Sequence, residues 1–493
     1  MPFTFTWSAF LLVINFLVVL MFAVRVLYTQ RNIGAAFAWL IILFVFPVGG
    51  VLAYLLVGET RVSKKRLART EKMRQFYDEF ASKYMPKEHF DPDENISPIF
   101  QGIEKMAEQT TRLGASSSNN MELLSTTDDI LNSMIQDIEQ AQASCLLAFY
   151  IIEPQGKIIQ LLEAIKAAAE RGIHCVILAD DVGSSDFLKS EWRTKLETAG
   201  VFIQTSLPVS VMHTFYGRND LRNHRKILVV DYKIGYTGSF NLIDPLLFKQ
   251  ETGIGKWFDV MMRCTGPIVL EMTAVLYADV AVEDDANLEK VKDYLTQQAE
   301  KNNNLTPPTS GNIIAQVIPS APEQEESIIY ETILCAIHLA TKRIVITTPY
   351  FVPNEPLLLA LTSAARRGVD VTLILPRKND SKMVHYASRA YFPLLLKHNV
   401  KIARFDQGLL HTKTLVVDDE FSLFGTVNMD MRSFFLNLEI SLAIYDKEMT
   451  KQISQLQQRY LQQSEYITPK GWRYRVKLWG LVENIVRLMS PLL

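Results

Sequence analysis

Apolar residues run without a charge through positions 2–24 and again through 32–58. Crossing the hydrocarbon of a bilayer takes about 20 residues, so both runs are predicted to span it. Only RVLYTQR separates them, which forces a tight hairpin over residues 1–60, and Pro47, Gly49 and Gly50 place a kink in the second run. The first run lacks the charged start and small-residue cleavage site of a signal peptide. Arg61, Lys64, Lys65, Arg66 and Arg69 follow the second, so the positive-inside rule puts that end in the cytoplasm, with Arg25 and Arg31 pulling weakly the other way. Residues 61–125 turn charged and then polar, with DPDENISP (91–98) and GASSSNN (114–120) as loop signals, and read as a linker region without assigned chemistry.

From 126 the pattern alternates. ILNSMIQDIEQA (130–141) predicts a helix, CLLAFYII (145–152) a buried strand, GKIIQLLEAIKAAAER (156–171) a helix capped by Gly172, and IHCVILADD (173–181) a second strand. The same order returns later as RIVITTPYF (343–351), EPLLLALTSAARR (355–367), Gly368 and VDVTLILP (369–376). The chain therefore reads as α/β and internally duplicated, each half a sheet flanked by helices. The halves are predicted over 126–296 and 312–469, joined by the polar linker QQAEKNNNLTPPTSG (297–311). The tail 470–493, rich in cations, tryptophan and aliphatic residues, reads as an amphipathic interfacial segment, with docking on the catalytic body as the alternative.

Duplication extends to chemistry. NHRKILVVDYKIGYTGSFN (223–241) supplies His224, Lys226, Asp231, Gly238, Ser239 and Asn241; HTKTLVVDDEFSLFGTVN (411–428) supplies His411, Lys413, Asp418, Gly425, Thr426 and Asn428 at the same spacing. ILVVD and TLVVD read as short buried strands, and alternation puts each His and Lys on one face. Lysine offers a positive charge to a phosphate oxygen, and histidine can act as nucleophile or proton carrier near neutral pH. The Gly-Ser-x-Asn and Gly-Thr-x-Asn returns add hydroxyl and amide donors for phosphoryl oxygens. Two facing halves would suit in-line displacement at phosphorus.

This pair resembles the HKD motif of the phospholipase D superfamily, which breaks and remakes phosphodiesters without a metal. TGSFNLIDPLLFKQETGIGKWFDVM (237–261), TTPYFVPNEPLLLAL (347–361), RRGVDVTLILPRKNDSKMVHYASRAYF (366–392), LNLEISLAIYD (436–446) and RLMSPLL (487–493) are similar to bacterial cardiolipin synthases with two membrane spans. The resemblance implies two phospholipase D-like halves with the active site at their interface, in a multi-pass protein of the bacterial cytoplasmic membrane. It implies that two phosphatidylglycerols give cardiolipin and glycerol through a phosphohistidine, with no metal or other cofactor. The catalytic set is then His224, Lys226, Asp231, His411, Lys413 and Asp418, the two aspartates holding strand ends rather than moving protons. His224 would be the nucleophile and His411 the acid/base, although the near-symmetric motifs leave the reverse open. Ser239, Asn241, Thr426 and Asn428 would hold phosphate. Glu439 would orient His411 and Asp259 would orient His224. Hydrolysis, or transfer to another alcohol such as serine or phosphatidylethanolamine, would use the same residues.

Composition narrows this further. A formal net charge of −2 gives no basic field for nucleic acid, so a nuclease is disfavoured and the expected partners are phosphatidylglycerol and membrane lipids. Cys145, Cys175, Cys264 and Cys335 lack metal-ligand spacing and read as reduced core residues. His213, His338, His385 and His398 show no partner pattern, although His385 lies in one of the family-like segments; Arg222 and Arg225 flank His224 and could meet lipid phosphate.

Overall fold

The computed structural model describes residues 7–29, 33–58, 62–84, 96–210, 218–301, 311–324, 326–473 and 477–487. Met1–Leu67 with Pro208–Leu221 form one compact unit, and Ala68–Leu207 with Arg222–Leu493 form another.

In the first unit the helix Trp7–Thr29 is long and apolar enough to cross a membrane. The second apolar run is divided: Ile33–Val45 ends at Phe46, Pro47–Ala53 resumes, and Tyr54–Gly58 finishes as a π-helix. Pro47 sits at the first turn of the second piece, where a missing N–H costs least, so the expected kink falls there. Neither piece alone reaches about 20 residues. Val19, Phe22, Val26, Leu43 and Tyr54 bury one another, and Tyr54 Oη meets Thr29 Oγ1 at 2.7 Å, so the first helix lies against the second run. Arg61 lies outside the described residues.

The second unit is built on one 16-stranded sheet. In its first half, Ser144–Phe149 pairs in parallel with His174–Asp180 and antiparallel with the motif strand Lys226–Val230; Ile234–Gly238 and Met261–Thr265 continue the sheet. Its second half repeats this with Arg343–Thr347, Asp370–Pro376, the motif strand Thr414–Val417, Phe421–Gly425 and Asn437–Ile444. Alternation along the motif strand sends Ile227 and Val229 to one face and Leu228 and Val230 to the other. Thr127–Glu139 and Ile158–Glu170 cover one face of the first half, as Ile328–Leu339 and Glu355–Arg366 do in the second. On the opposite face the buried helix Ile268–Ala281 joins Lys447–Gln462 in a core that runs under both halves.

Both predicted glycine caps form. Gly172 (φ +86°) and Gly368 (φ +95°) each close a helix as Schellman motifs, with Ile173 N–H donating to Ala168 O and Val369 N–H to Ala364 O. Cys145, Cys175 and Cys264 are buried free thiols and Cys335 is half-buried.

Three expectations change. GASSSNN is not a loop: Ser116–Leu124 is a strand that pairs with Met261–Thr265 on one side and with Ile313–Ser320 on the other, forming the seam between the halves. The first half therefore begins before 126. The polar run escaped notice because its core contacts are made by small buried polar groups; Asn119 Nδ2 donates to Ser116 O and Ile313 O, and Asn119 Oδ1 accepts from Ile268 N. Residues 297–301 of the expected linker belong to the helix Asp285–Lys301, while 302–310, like 91–95 of the upstream loop signal, lie outside the described residues. The tail forms Pro469–Arg473 and Lys477–Arg487, and the second of these docks on the helix Lys382–Lys397. Buried Glu483 bonds Arg389 and Trp479 stacks on Tyr386, while Leu481 and Ile485 stay exposed. Of RLMSPLL, residues 488–493 are outside the described set.

Gly238 and Gly425 end corresponding strands where a neighbouring backbone comes close. An added Cβ would stand 2.3 Å from Val260 O at Gly238 and 2.3 Å from Ile440 O at Gly425. Gly425→Ala and Gly238→Ala are each expected to lower stability by about 1–3 kcal/mol through forced separation of strands. Thermal denaturation of the purified variants checks this, and unchanged melting contradicts the close approach.

Candidate active site

Each motif histidine sits just before its strand, fixed by the strand of the opposite half that carries a carboxylate. Arg222–Asn223 pairs in parallel with Asn437–Leu438, and His224 N–H donates to Leu438 O at 2.9 Å. Leu409–Leu410 pairs in parallel with Trp257–Phe258, and His411 N–H donates to Phe258 O at 2.9 Å. Alternation then turns Glu439 and Asp259 toward these rings. His224 Nδ1 lies 2.9 Å from Glu439 Oε2, and His411 Nδ1 lies 2.7 Å from Asp259 Oδ1.

The pairing is thus the reverse of the expected one: Glu439 serves His224 and Asp259 serves His411. The pairing drawn from the resemblance kept partners within one half, whereas the parallel pairing of short strands carries each carboxylate across to the other.

The hydroxyls are also reassigned. Ser239 Oγ donates to Asp259 Oδ1 at 2.6 Å, and Thr426 Oγ1 donates to Glu439 Oε2. Each has one proton to give and gives it to a carboxylate, so Ser239 and Thr426 are not phosphate donors here. The result is two crossed chains, His224–Glu439–Thr426 and His411–Asp259–Ser239, each tying the histidine of one motif to the hydroxyl of the other. Gly238 and Gly425 make this possible, because the close approach lets Ser239 N and Thr426 N reach Val260 O and Ile440 O at 2.9 Å each.

The lysines lie beneath. Lys226 Nζ donates to His224 O and Lys413 Nζ to His411 O, both at 2.6 Å, and both side chains are buried. Asn241 Oδ1 accepts from Ile151 N at 3.3 Å, whereas Asn428 Oδ1 is buried without a hydrogen-bond partner among the described groups.

The motif aspartates are elsewhere. Asp231 (φ +54°) accepts from Gln142 N, Ala143 N and Ser144 N at 2.7–2.8 Å; Asp418 (φ +54°) accepts from Thr341 N, Lys342 N and Arg343 N at 2.7–2.8 Å. Each closes the far end of its motif strand onto the start of the neighbouring strand. They hold strand ends, as expected, and leave the catalytic set. Arg225 is structural too: it donates to Glu439 O and Ser320 O and pairs with buried Asp279.

Burial governs the charges. It pushes His224 down to about 4, with Lys226 and Lys413 adding to the effect and Glu439 opposing it. His411 is lowered by burial and then by Lys413, against Asp259. Lys226 is lowered by burial to about 8, and Lys413 falls well below the usual lysine range for the same reason. Burial alone would raise Asp259 and Glu439, but their histidine and lysine neighbours outweigh it and both end lowered. An ionised carboxylate beside a neutral imidazole fixes the proton on Nδ1 and leaves the Nε2 lone pair free. The influence of each motif's lysine on the other motif's histidine shows that both copies share one electrostatic environment.

Sequence reasoning missed three supporting residues. Tyr150 meets the His224 ring edge-on at 5.0 Å, Trp257 lies 4.7 Å from the His411 ring, and Asn437 Nδ2 donates to Glu439 Oε1 at 3.2 Å. Trp257 and Asn437 each stand two residues before an orienting carboxylate, a spacing that was available in the sequence.

A family model described as "Cardiolipin synthase, PLD-like domain" matches residues 134–250 and 333–461, one match over each motif. A "Phospholipase_D-nuclease N-terminal" model matches residues 17–59. Cardiolipin synthase A of Klebsiella pneumoniae (strain 342) is 38% identical over 99% of this chain and 100% of its own. The chain belongs to the bacterial cardiolipin synthases. Cardiolipin synthase A of Yersinia pestis is likewise 38% identical, over 95% of each chain. The fold is also that of phosphatidylserine synthase from Haemophilus influenzae, with a TM-score of 0.59 and 15% identity over 80% of this chain and all of that one. This cardiolipin synthase is a membrane-associated phosphatidyltransferase of the phospholipase D superfamily.

The crossed pairing makes a specific prediction. Glu439 raises the His224 pKa, so Glu439→Gln should lower it further and leave His411 where it is. Histidine-selective NMR titration checks this; movement of the His411 signal instead would restore pairing within each half.

Proposed function

We propose that two phosphatidylglycerols meet at the interface of the two halves and leave as cardiolipin and glycerol. The observation that carries this reading is the pair of buried motif histidines, each held at Nδ1 by an ionised carboxylate from the other half. A free Nε2 at neutral pH is what a nucleophile at phosphorus requires.

His224 attacks the donor phosphorus. The P–N bond forms and the P–O bond to glycerol breaks; His411, which enters the cycle protonated on Nε2 with Asp259 offsetting the charge, gives that proton to the departing alkoxide and is left neutral. The terminal hydroxyl of the second phosphatidylglycerol then loses its proton to His411 and attacks. Its P–O bond forms as the P–N bond breaks, and His224 is regenerated. Glu439 and Asp259 hold the rings and offset the imidazolium charge that appears at each step. Lys226, Lys413, Asn241 and Asn428 face the phosphoryl oxygens, where positive charge and amide donors act on the transition state. One phosphodiester replaces another, so no energy source is needed.

The apolar helices of the first unit are read as a two-span membrane hairpin. The cations after it favour a multi-pass protein of the cytoplasmic membrane with its catalytic body on the cytoplasmic side.

Phosphatidylglycerol alone, given to the detergent-solubilised full-length protein, should yield cardiolipin and glycerol in equal amounts. Phosphatidic acid without cardiolipin would make water the acceptor, and no turnover would point to another alcohol.

The pH profile has a defined shape. Protonation of free His224 removes the nucleophile as pH falls through about 4; as pH rises, His411, lowered by burial, first loses the proton it gives to the alkoxide, and deprotonation of Lys226 then removes a phosphate contact through about 8. The rate at low substrate should therefore fall on both sides, and Lys226→Arg should move the steeper part of the alkaline limb, near 8, upward because guanidinium does not titrate there. An alkaline limb unmoved in that variant would remove Lys226 from the account.

A further inference from the structure

A pocket in the second half carries a chemistry that the His/Lys site does not use. Three arginines, Arg377, Arg389 and Arg404, line it together with His385, Ser388 and Phe392. His385, Ser388, Arg389 and Phe392 are spaced three and four apart on the helix Lys382–Lys397, so a single helical face forms one wall. The other wall is the carboxyl end of the parallel strands Asp370–Pro376 and Lys401–Phe405, where α/β sheets place ligands.

The arginines are only partly committed. Arg377 meets Asp406 at 2.8 Å and Glu465 at 3.4 Å, Arg404 meets Glu465 at 2.9 Å, and Arg389 meets Glu483 at 2.9 Å. None of these acids lines the pocket. A guanidinium has five N–H donors, and Arg404 Nε is buried without a partner. Arg389 also lowers the pKa of His385, after burial, so the ring beside it is held neutral. Such a lining suits a phosphate with an organic group attached.

Its position suits the acceptor. Thr347 on the strand Arg343–Thr347 pairs with Thr414, immediately after Lys413, and Asp370–Pro376 is the next strand over. Lys401–Phe405 follows in the same direction, so the carboxyl ends that form the pocket and the start of the motif strand lie on one edge of the sheet, with Lys401–Phe405 three strand spacings, about 14 Å, from the motif strand. In the proposed reaction both lipids are anions, and the His/Lys site accommodates the phosphorus that reacts. The second phosphodiester needs cations of its own.

We propose that the Arg377–Arg389–Arg404 pocket binds the phosphate of the acceptor phosphatidylglycerol and so selects a phospholipid alcohol over water. This rests on the transfer reaction proposed above.

The test uses full-length protein in mixed micelles with phosphatidylglycerol, following cardiolipin, phosphatidic acid and glycerol. Arg404→Gln should raise the concentration giving half-maximal cardiolipin synthesis about tenfold, the size of one lost charge-assisted contact, and raise the share of phosphatidic acid. Arg404→Lys should restore part of both. A variant that melts like wild type but keeps its KM and product ratio overturns the proposal. Inorganic phosphate probes the other source of this chemistry: competition with lipid in wild type that vanishes in Arg404→Gln, with no change in product ratio, assigns the pocket to free phosphate and overturns the acceptor role. Absence of cardiolipin from the wild type would instead remove the transfer reaction itself.

Discussion

The candidate site is held by two hydrogen bonds that cross the molecular pseudo-symmetry, between Glu439 and His224 and between Asp259 and His411. A buried imidazole must have its Nδ1 proton satisfied and its ring held, and here neither half does this for itself. Each copy supplies the histidine and lysine of its own motif, together with a hydroxyl and a carboxylate for the other. Loss of either histidine would leave its carboxylate buried and uncompensated, which typically costs about 3–5 kcal/mol. The halves are therefore tied together by the same contacts that hold the two motif histidines. The sheet joins them as well, running unbroken through the seam strand Ser116–Leu124, and one apolar layer underlies both halves.

The motifs were legible because their signal is local. Fixed spacing, buried strands of ILVVD and TLVVD type, and glycine caps at Gly172 and Gly368 each express a constraint within a few residues. The crossing was not legible. Glu439 and Asp259 stand at different distances from their preceding motifs, and nothing in sequence spacing says which half a parallel two-residue pairing will join. The roles of Ser239 and Thr426 were hidden for the same reason, since their partners are carboxylates brought near only by the close approach at Gly238 and Gly425. The seam strand Ser116–Leu124 was missed because its core contacts are polar, through Ser116 and Asn119, and its pattern resembled a loop.

The two ends of the chain show how apolar content and context divide the work. The second apolar run near the start breaks at Phe46 because Pro47 cannot continue the backbone ladder, yet both pieces stay against the first helix through Tyr54. The helix Lys477–Arg487 is amphipathic as read, but it docks one side by a buried glutamate and stacked rings and keeps Leu481 and Ile485 outside. Composition identified the amphipathic character; the choice of docking face required the partner helix.

The central claim is that two motif copies make one reaction centre with one covalent histidine. The most direct measurement is the number of phosphatidyl adducts per chain, obtained by alkaline quench during turnover of phosphatidylglycerol followed by mass spectrometry. A single adduct per chain, located on His224 and absent from His224→Ala, is the predicted result. Two adducts per chain would mean two independent centres, and turnover with no adduct would mean direct displacement; either would contradict the account.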